Sequence, residues 1–431
     1  MADFGNRTHW HLFVPKLATA LREGYGIQDA RADLFAGLTV AVVALPLSLA
    51  LAVASGVSPG RGLFTAVVAG AIVSALGGSR HQIAGPTGAF VVAVAGIVQQ
   101  FGYDGLVVAM LMAGLLLILT GLSGLGVYIR LVPFPVITGF TAGIAVVIFT
   151  GQIGDLLGLV VHHASAGALH SLAADANAIG TFNPAAPAIA AATLGVALLM
   201  RRRFPRAPAF LVAIGLAALV TWALKLPIAT IGSRFGGIPS RLPAPHIPAF
   251  DLAQLRMLIP AAFTIFALGG IESLLSVVVA DGMTGRRHRA NSELVAQGIA
   301  NLASAVMGGI PATGAIARTA TNIRAGARTP VAGIIHSAAI FAMMALFAPL
   351  GAYIPLASLG AVLAIVCWAM ADLPVFVMVL EGAPGDRAVL IVTFLLTVFF
   401  DLSTAIAVGI ALAVAISRFR TLPLLRAFEN G

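Results

Sequence analysis

Two short phrases contain the residue types from which a membrane protein can build an anion site. They are "GPTGAF" at residues 85–90 and "IPATGAI" at 310–316, and Pro86 and Pro311 lie 225 residues apart, about half the chain. Proline at the first turn of a helix forfeits no hydrogen bond that the turn needs. The small residues behind it let a ligand approach the free N–H groups of that turn, which together with the helix dipole hold an anion without a charged side chain. Two ionisable residues sit in apolar surroundings nearby. Glu272 is the sole charge in the 24-residue run "MLIPAAFTIFALGGIESLLSVVVA". A charge at the centre of such a span costs about 3 kcal/mol on insertion scales. A carboxyl there is easiest to keep with its proton on, so Glu272 is a candidate to carry a proton or to neutralise a cation; the plainer alternative is a packing hydrogen bond. Arg318, in "TGAIARTATNIRAGARTP", lies about one turn past the second phrase, where a guanidinium adds positive charge and donors. Its plainer alternatives are snorkelling to an interface or pairing with an acid. Thr87, Thr313, Thr319 and Asn322 offer side-chain donors.

Elsewhere the sequence offers less. Asp33 and Asp401 fall at the ends of apolar segments and read as capping or packing carboxylates. His162, His163 and His170 share a loop without metal-ligand spacing, and Cys367 is the only cysteine. "RRRFPR" at 201–206 reads as a cytoplasmic anchor rather than a nucleic-acid arm, and "GLSGLG" at 121–126 lacks the strand, helix and GK[ST] of a phosphate loop. No nucleophile–base set, cofactor motif or metal signature is visible, so no enzyme is expected and the expected cofactors and metals are none.

The elements that must position these residues follow from composition. Of 431 residues, 59% are hydrophobic and only 10% charged, against roughly 25% charged in a soluble domain. Apolar runs of membrane-spanning length recur from end to end without the alternation of a β-barrel. The expected fold is an all-α polytopic membrane protein, with the lipid bilayer as partner and no nucleic acid despite a net charge of +9. Fourteen apolar segments are predicted, at about 34–55, 62–78, 87–101, 105–122, 133–150, 185–200, 208–226, 258–280, 292–307, 313–325, 330–348, 356–371, 386–400 and 402–417. With both termini cytoplasmic, nineteen Lys and Arg fall inside and five outside, the expected bias; the loop 151–184 then lies outside. No cleaved signal peptide is expected, because "HWHLFVPKLATALREGYG" interrupts any apolar run.

Seven segments precede the connector and seven follow it, so a repeat of seven is an inverted repeat, and the two phrases open the third element of each half. Short, Gly/Pro-interrupted segments at matching positions are the sequence pointer to a transporter. Non-helical backbone at membrane depth must line a cavity or be buried, so two half-helices entering from opposite faces would aim both positive ends at one point. The bland alternative is that Gly and Pro are common in membrane helices; this chain has 47 and 23. The expected organisation is a cytoplasmic N-terminal segment (1–32), a first repeat (33–227), an extracellular connector (228–257), a second repeat (258–417) and a cytoplasmic tail (418–431).

The stretch "DLFAGLTVAVVALPLSLALAVASGVSPGRGLFTAVVAGAIVSALGGSRHQIAGPTGAF" at 33–90 closely resembles the N-terminal signature of the SulP sulfate-permease group, the solute carrier family 26 anion transporters. "GGIPATGAIARTATNIRAGARTPVAGIIH" at 308–336 resembles the tenth-span region of the same family, and the resemblance runs from about Asp33 to Arg420. It implies a core domain of spans 1–4 and 8–11, a gate domain of spans 5–7 and 12–14, half-helices at spans 3 and 10, and elevator-like movement of core against gate. Carried over residue by residue, Thr87, Gly88, Ala89 and Phe90, with Ala315, Ile316, Ala317 and Arg318, line the substrate site, as do Pro46 and Leu47. Glu272 matches the eighth-span acid associated with ion coupling. Two departures matter. Many relatives have Gln where Leu47 follows Pro46, which removes a polar contact. Relatives also usually carry a STAS domain after the last span, where only "SRFRTLPLLRAFENG" follows here.

These readings converge on a secondary active transporter in the cell inner membrane, multi-pass, symporting a small anion with H+ rather than Na+. A dicarboxylate is preferred over an inorganic anion, and the resemblance implies a homodimer. The alternatives are a passive anion channel or exchanger, and a nucleobase permease of the same fold. The latter uses carboxylates from two spans, whereas the tenth span here offers Arg318.

Overall fold

A computed structural model describes residues 13–126, 133–161, 167–204, 207–400 and 404–416. His162, His163 and Asp401, named above, lie outside the described residues, as does the tail from 417. A short helix α1 (Lys16–Arg22) precedes α2 (Ile27–Ala54) and α3 (Pro59–Leu76). Strand β1 (Ala84–Gly85) and a tight turn at Gly88–Phe90 lead into α4 (Val91–Leu122). Next come α5 (Phe134–Gly151), α6 (Ile153–Leu157), α7 (Ala168–Asn177), α8 (Ala185–Arg203), α9 (Ala209–Ala223) and α10 (Ile231–Phe235). The second half holds α11 (Leu252–Thr284), α12 (Ala290–Val306), strand β2 (Thr313–Gly314), α13 (Ile316–Arg324) and α14 (Val331–Gly351). It ends with α15 (Leu356–Ala371), α16 (Leu373–Glu381), α17 (Pro384–Phe399) and α18 (Thr404–Ile416).

Local chemistry sets these boundaries. Pro59 and Pro384 open α3 and α17 at their first position, where a missing N–H is harmless. Asp251 caps α11 by accepting the Gln254 N–H at 2.7 Å, and Gly285 ends it in the left-handed conformation, the standard start and stop chemistry. Gly102, at φ +71, kinks α4, so the expected third and fourth segments share one bent helix.

Each of the fourteen predicted segments falls on a helix, but their lengths differ widely. Eight helical stretches among the described residues are long and apolar enough to cross a bilayer, while α9 and α18 are shorter apolar helices. The tenth segment, expected from 313, becomes a nine-residue helix that starts at Ile316. The reason is that Thr313 and Gly314 are taken into β2.

The helices pack as two groups. In one, α2, α3, α4, α11, α12, α13 and α14 pack on one another; in the other, α5, α8, α9, α15 and α17 do so, with α2 against α9 and α15 joining the groups. Buried Leu49, Leu63, Phe90, Met110, Ile144, Ile265 and Leu363 belong to one continuous apolar cluster running through both. Small residues bring backbones into contact, as is usual between membrane helices. A Cβ on Gly62 of α3 would fall 2.0 Å from the Ser48 carbonyl oxygen of α2, and one on Gly298 of α12 would fall 2.5 Å from that of Gly114 on α4.

Candidate functional site

The two phrases meet. β1 and β2 form an antiparallel ladder with Ala84 opposite Gly314 and Gly85 opposite Thr313. Backbone leaving a helix inside a bilayer has no water to bond, so it must be satisfied by protein, and the leads into the two half-helices largely satisfy each other. The Ala315 N–H donates to the Ile83 carbonyl at 2.9 Å, and the Ile83 N–H donates to Thr319 Oγ1 at 3.1 Å. Asn301 of α12 accepts the Ala312 N–H and donates to its carbonyl, both at 2.9 Å. The Asn322 amide donates to the His81 carbonyl at 2.9 Å.

The two prolines stand differently about the ladder: Pro86 follows its strand, whereas Pro311 precedes its own.

Three polar side chains gather at the ladder. The Thr87 hydroxyl donates to Glu272 Oε2 at 2.8 Å, which ties the first half-helix to α11. Glu272 is half-buried. Arg318, 2% exposed, sits in the first turn of α13, and its Nη2 donates to the Pro86 carbonyl. Its Nε and Nη1 have no hydrogen-bond partner. A Cβ on Gly85 would fall 2.5 Å from Nη1, so only glycine lets the guanidinium lie against the ladder. None of the four ion pairs among the described residues includes Glu272 or Arg318. A cationic fork with two undirected N–H faces thus stands beside the start of both half-helices. By helix geometry the first-turn N–H groups of Gly88, Ala89, Ile316 and Ala317 lack carbonyl partners in their own helices. Such an arrangement can hold a small anion by charge-assisted hydrogen bonds.

The other expected residues are placed less uniformly. Pro46 is buried within α2, where it frees the Val42 carbonyl, and Leu47 is half-buried against the central apolar cluster. Phe90 is buried against Gly269 of α11. Thr313, Thr319 and Asn322 serve as struts: the Thr313 hydroxyl donates to the Gly269 carbonyl at 3.0 Å, and Thr319 Oγ1 also accepts from Ser276 at 3.3 Å. Asp33 is wholly buried and accepts the Arg328 and Thr329 N–H groups at 2.7 and 3.1 Å, as befits a packing carboxylate. Sequence reading missed Met370 of α15 and Ile148 of α5, which face Gly88 from the second helix group. Nothing in an unbroken apolar run marks which residue will meet a half-helix.

A family model described as the sulfate permease family matches residues 31–393. Among similar proteins, a putative sulfate transporter YvdB of Bacillus subtilis is 46% identical over 91% of this chain and 74% of its own length. The bicarbonate transporter BicA of Picosynechococcus is 32% identical over 90% of this chain and 70% of its own. Among solved structures, the transmembrane domain of a cyanobacterial BicA is 32% identical, with a TM-score of 0.80 over 88% of this chain and 98% of that one. Murine Slc26a9 in an inward-facing state is 16% identical with a TM-score of 0.86, over 97% and 73% of the two chains, a likeness of fold alone.

Proposed function

The chain belongs to the sulfate permease family and is a multi-pass membrane transporter of anions, and from that premise we propose that it is a proton-coupled symporter of a small anion. The single observation that carries this reading is the β1–β2 ladder, which sets Thr87, Glu272 and Arg318 around the starts of two half-helices. The anion is a small dicarboxylate or an inorganic oxyanion, held by the N–H groups of Gly88, Ala89, Ile316 and Ala317 and by the open edges of Arg318. Pro46, Leu47, Phe90 and Ala315 complete the walls. Sulfate and bicarbonate stand beside dicarboxylates as candidates because the similar proteins YvdB and BicA are named for them. Glu272 is the proton-carrying residue: protonated, it brings no negative charge to the site, so anion and proton enter together.

The fourteen segments cross as two inverted sets of seven, with both termini cytoplasmic in the inner membrane. The division of the helices into two packing groups supports an elevator-like movement, the group holding the ladder sliding against the one holding α5 and α15. Met370 and Ile148 then move relative to Gly88 in each cycle. A homodimer in the bilayer is part of the same reading.

The test is uptake into proteoliposomes across sulfate, bicarbonate, chloride and dicarboxylates, with and without an imposed pH gradient. Uphill accumulation of one of these anions driven by the gradient is the expected result. Flux that only ever runs downhill would make the protein a passive channel.

A further inference from the structure

Glu293, on the first turn of α12, is wholly buried. Its carboxyl accepts the Gly78 N–H at 2.8 Å, and the Ser273 hydroxyl and the Gln297 amide at 3.4 Å each. It thereby pins the segment that leads from α3 into β1. Thr65 of α3 does the matching work in the other half, where its hydroxyl accepts the Ile310 N–H at 2.7 Å and so pins the lead from α12 into β2. The two residues do parallel work without sharing one register: 293 − 65 gives 228, whereas the backbone N–H groups they accept, those of Gly78 and Ile310, lie 232 residues apart. A neutral hydroxyl therefore suffices as the anchor. A carboxyl in the same place asks for a second purpose.

Its surroundings say which. None of the four ion pairs among the described residues involves it. The charged or titratable groups on the elements around it face elsewhere or act on others. Arg80 bonds Glu23, Glu272 accepts from Thr87, Asp281 bonds His288, and Arg318 donates to Pro86. His81 is buried with both ring nitrogens unpartnered. On α3 and α4, Arg61 and Asp104 lie towards the opposite end, where Arg61 donates to the Gly308 carbonyl. Without a cation beside it, an ionised carboxyl buried here carries a desolvation cost that its three donors only partly offset, whereas a carboxylic acid avoids that cost. The acid also brings a donor to the one kind of group here that lacks a partner: the amide oxygens of Gln82 and Gln297 are buried acceptors without a hydrogen bond, and both side chains bond into this cluster.

We propose that Glu293 is a second proton-binding site, on the flank of Lys16, Arg80 and Arg289, and that its proton loosens the hold on the Gly78 lead into the first half-helix. The ionised form accepts that N–H as a charge-assisted bond, and the neutral form accepts it more weakly. Proton occupancy on this flank, cytoplasmic in the proposed orientation, thus acts on the backbone that positions Thr87. The inference rests on the proton-coupled reading above and adds a group to it.

The test uses the full chain reconstituted in phosphatidylethanolamine–phosphatidylglycerol vesicles. Infrared difference spectra over a pH titration read protonated carboxyl groups directly, without a transported substrate. Glu293→Gln, which keeps an acceptor for Gly78, should remove one protonated-carboxyl band; a spectrum identical to that of the unsubstituted protein overturns the proposal. Uptake of radiolabelled sulfate, bicarbonate and fumarate, with pH varied on one side at a time, supplies the second readout. Glu293→Gln should lose the response to pH on one side and keep the response on the other. Should Glu293→Gln not fold, Glu293→Asp must shift the band and the pH response, and an unshifted pair overturns the proposal. If no uptake by the unsubstituted protein responds to pH, the coupled reading fails, while the infrared band still decides the proton site. If Glu272→Gln abolishes gradient-driven uptake and Glu293→Gln keeps both band and pH response, this inference alone fails.

Discussion

Replacing Arg318 with Ala tests the proposed anion site most directly. The guanidinium is buried, directs one N–H group to the Pro86 carbonyl and leaves Nε and Nη1 without a protein acceptor. If those two edges hold the anion, deleting them removes at least one hydrogen bond to a charged partner, worth about 1.5–3 kcal/mol. That corresponds to an affinity weaker by about tenfold to a hundredfold. Two assays read it. Apparent KM for uptake should rise by that factor, and the thermal stabilisation conferred by anion should shrink. At about 100 times Kd a ligand adds about 2.7 kcal/mol of stability, and after a hundredfold loss of affinity the same concentration adds about 0.4 kcal/mol. Unfolding without anion is the control, since the substitution also leaves the Pro86 carbonyl unpaired. Arg318→Lys keeps the charge but not the planar fork, so its affinity should fall between the two. A folded Arg318→Ala protein with unchanged KM and undiminished stabilisation by anion would refute the reasoning and return Arg318 to a strut between Pro86 and α13.

Glu272→Gln should abolish uptake driven by a pH gradient yet retain anion exchange, because a Gln carbonyl can still accept the Thr87 hydroxyl now donating at 2.8 Å; counterflow and gradient-driven assays on the same vesicles separate the two. Gly62→Ala should lower the melting temperature sharply, since its Cβ meets the Ser48 carbonyl oxygen at 2.0 Å and overpacking costs about 1–3 kcal/mol. Gly151→Ala, with nothing within 4 Å of the new Cβ, should be neutral or mildly stabilising in the same scan. Asp33→Ala should destabilise by several kcal/mol, because it strands two backbone N–H groups and the Thr329 hydroxyl, each worth about 1–3 kcal/mol when buried unpaired; limited proteolysis between α13 and α14 reports the loosening.

Features governed by the bilayer as a solvent were legible in the sequence, and features governed by pairing in space were not. Glu272 stood out because a single carboxyl in 24 apolar residues carries a penalty that any neighbour must answer, and the structure supplies Thr87 as that neighbour. The two Gly/Pro phrases stood out because they interrupt helices where interruption is expensive. The ladder did not, since two-residue strands leave no periodicity. Glu293 was invisible for a related reason. It lies at the start of its apolar segment, next to Asn291 and Ser292, where an acid reads as an ordinary first-turn residue favoured by the helix dipole. Only the fold, by folding α3 over that turn and burying the carboxyl against Gly78, converts a conventional helix start into a buried acid with no cation paired to it. The same physical penalty marks both acids. What differs is whether burial is imposed by the residue's own segment, which a sequence displays, or by a partner 215 residues away, which it does not.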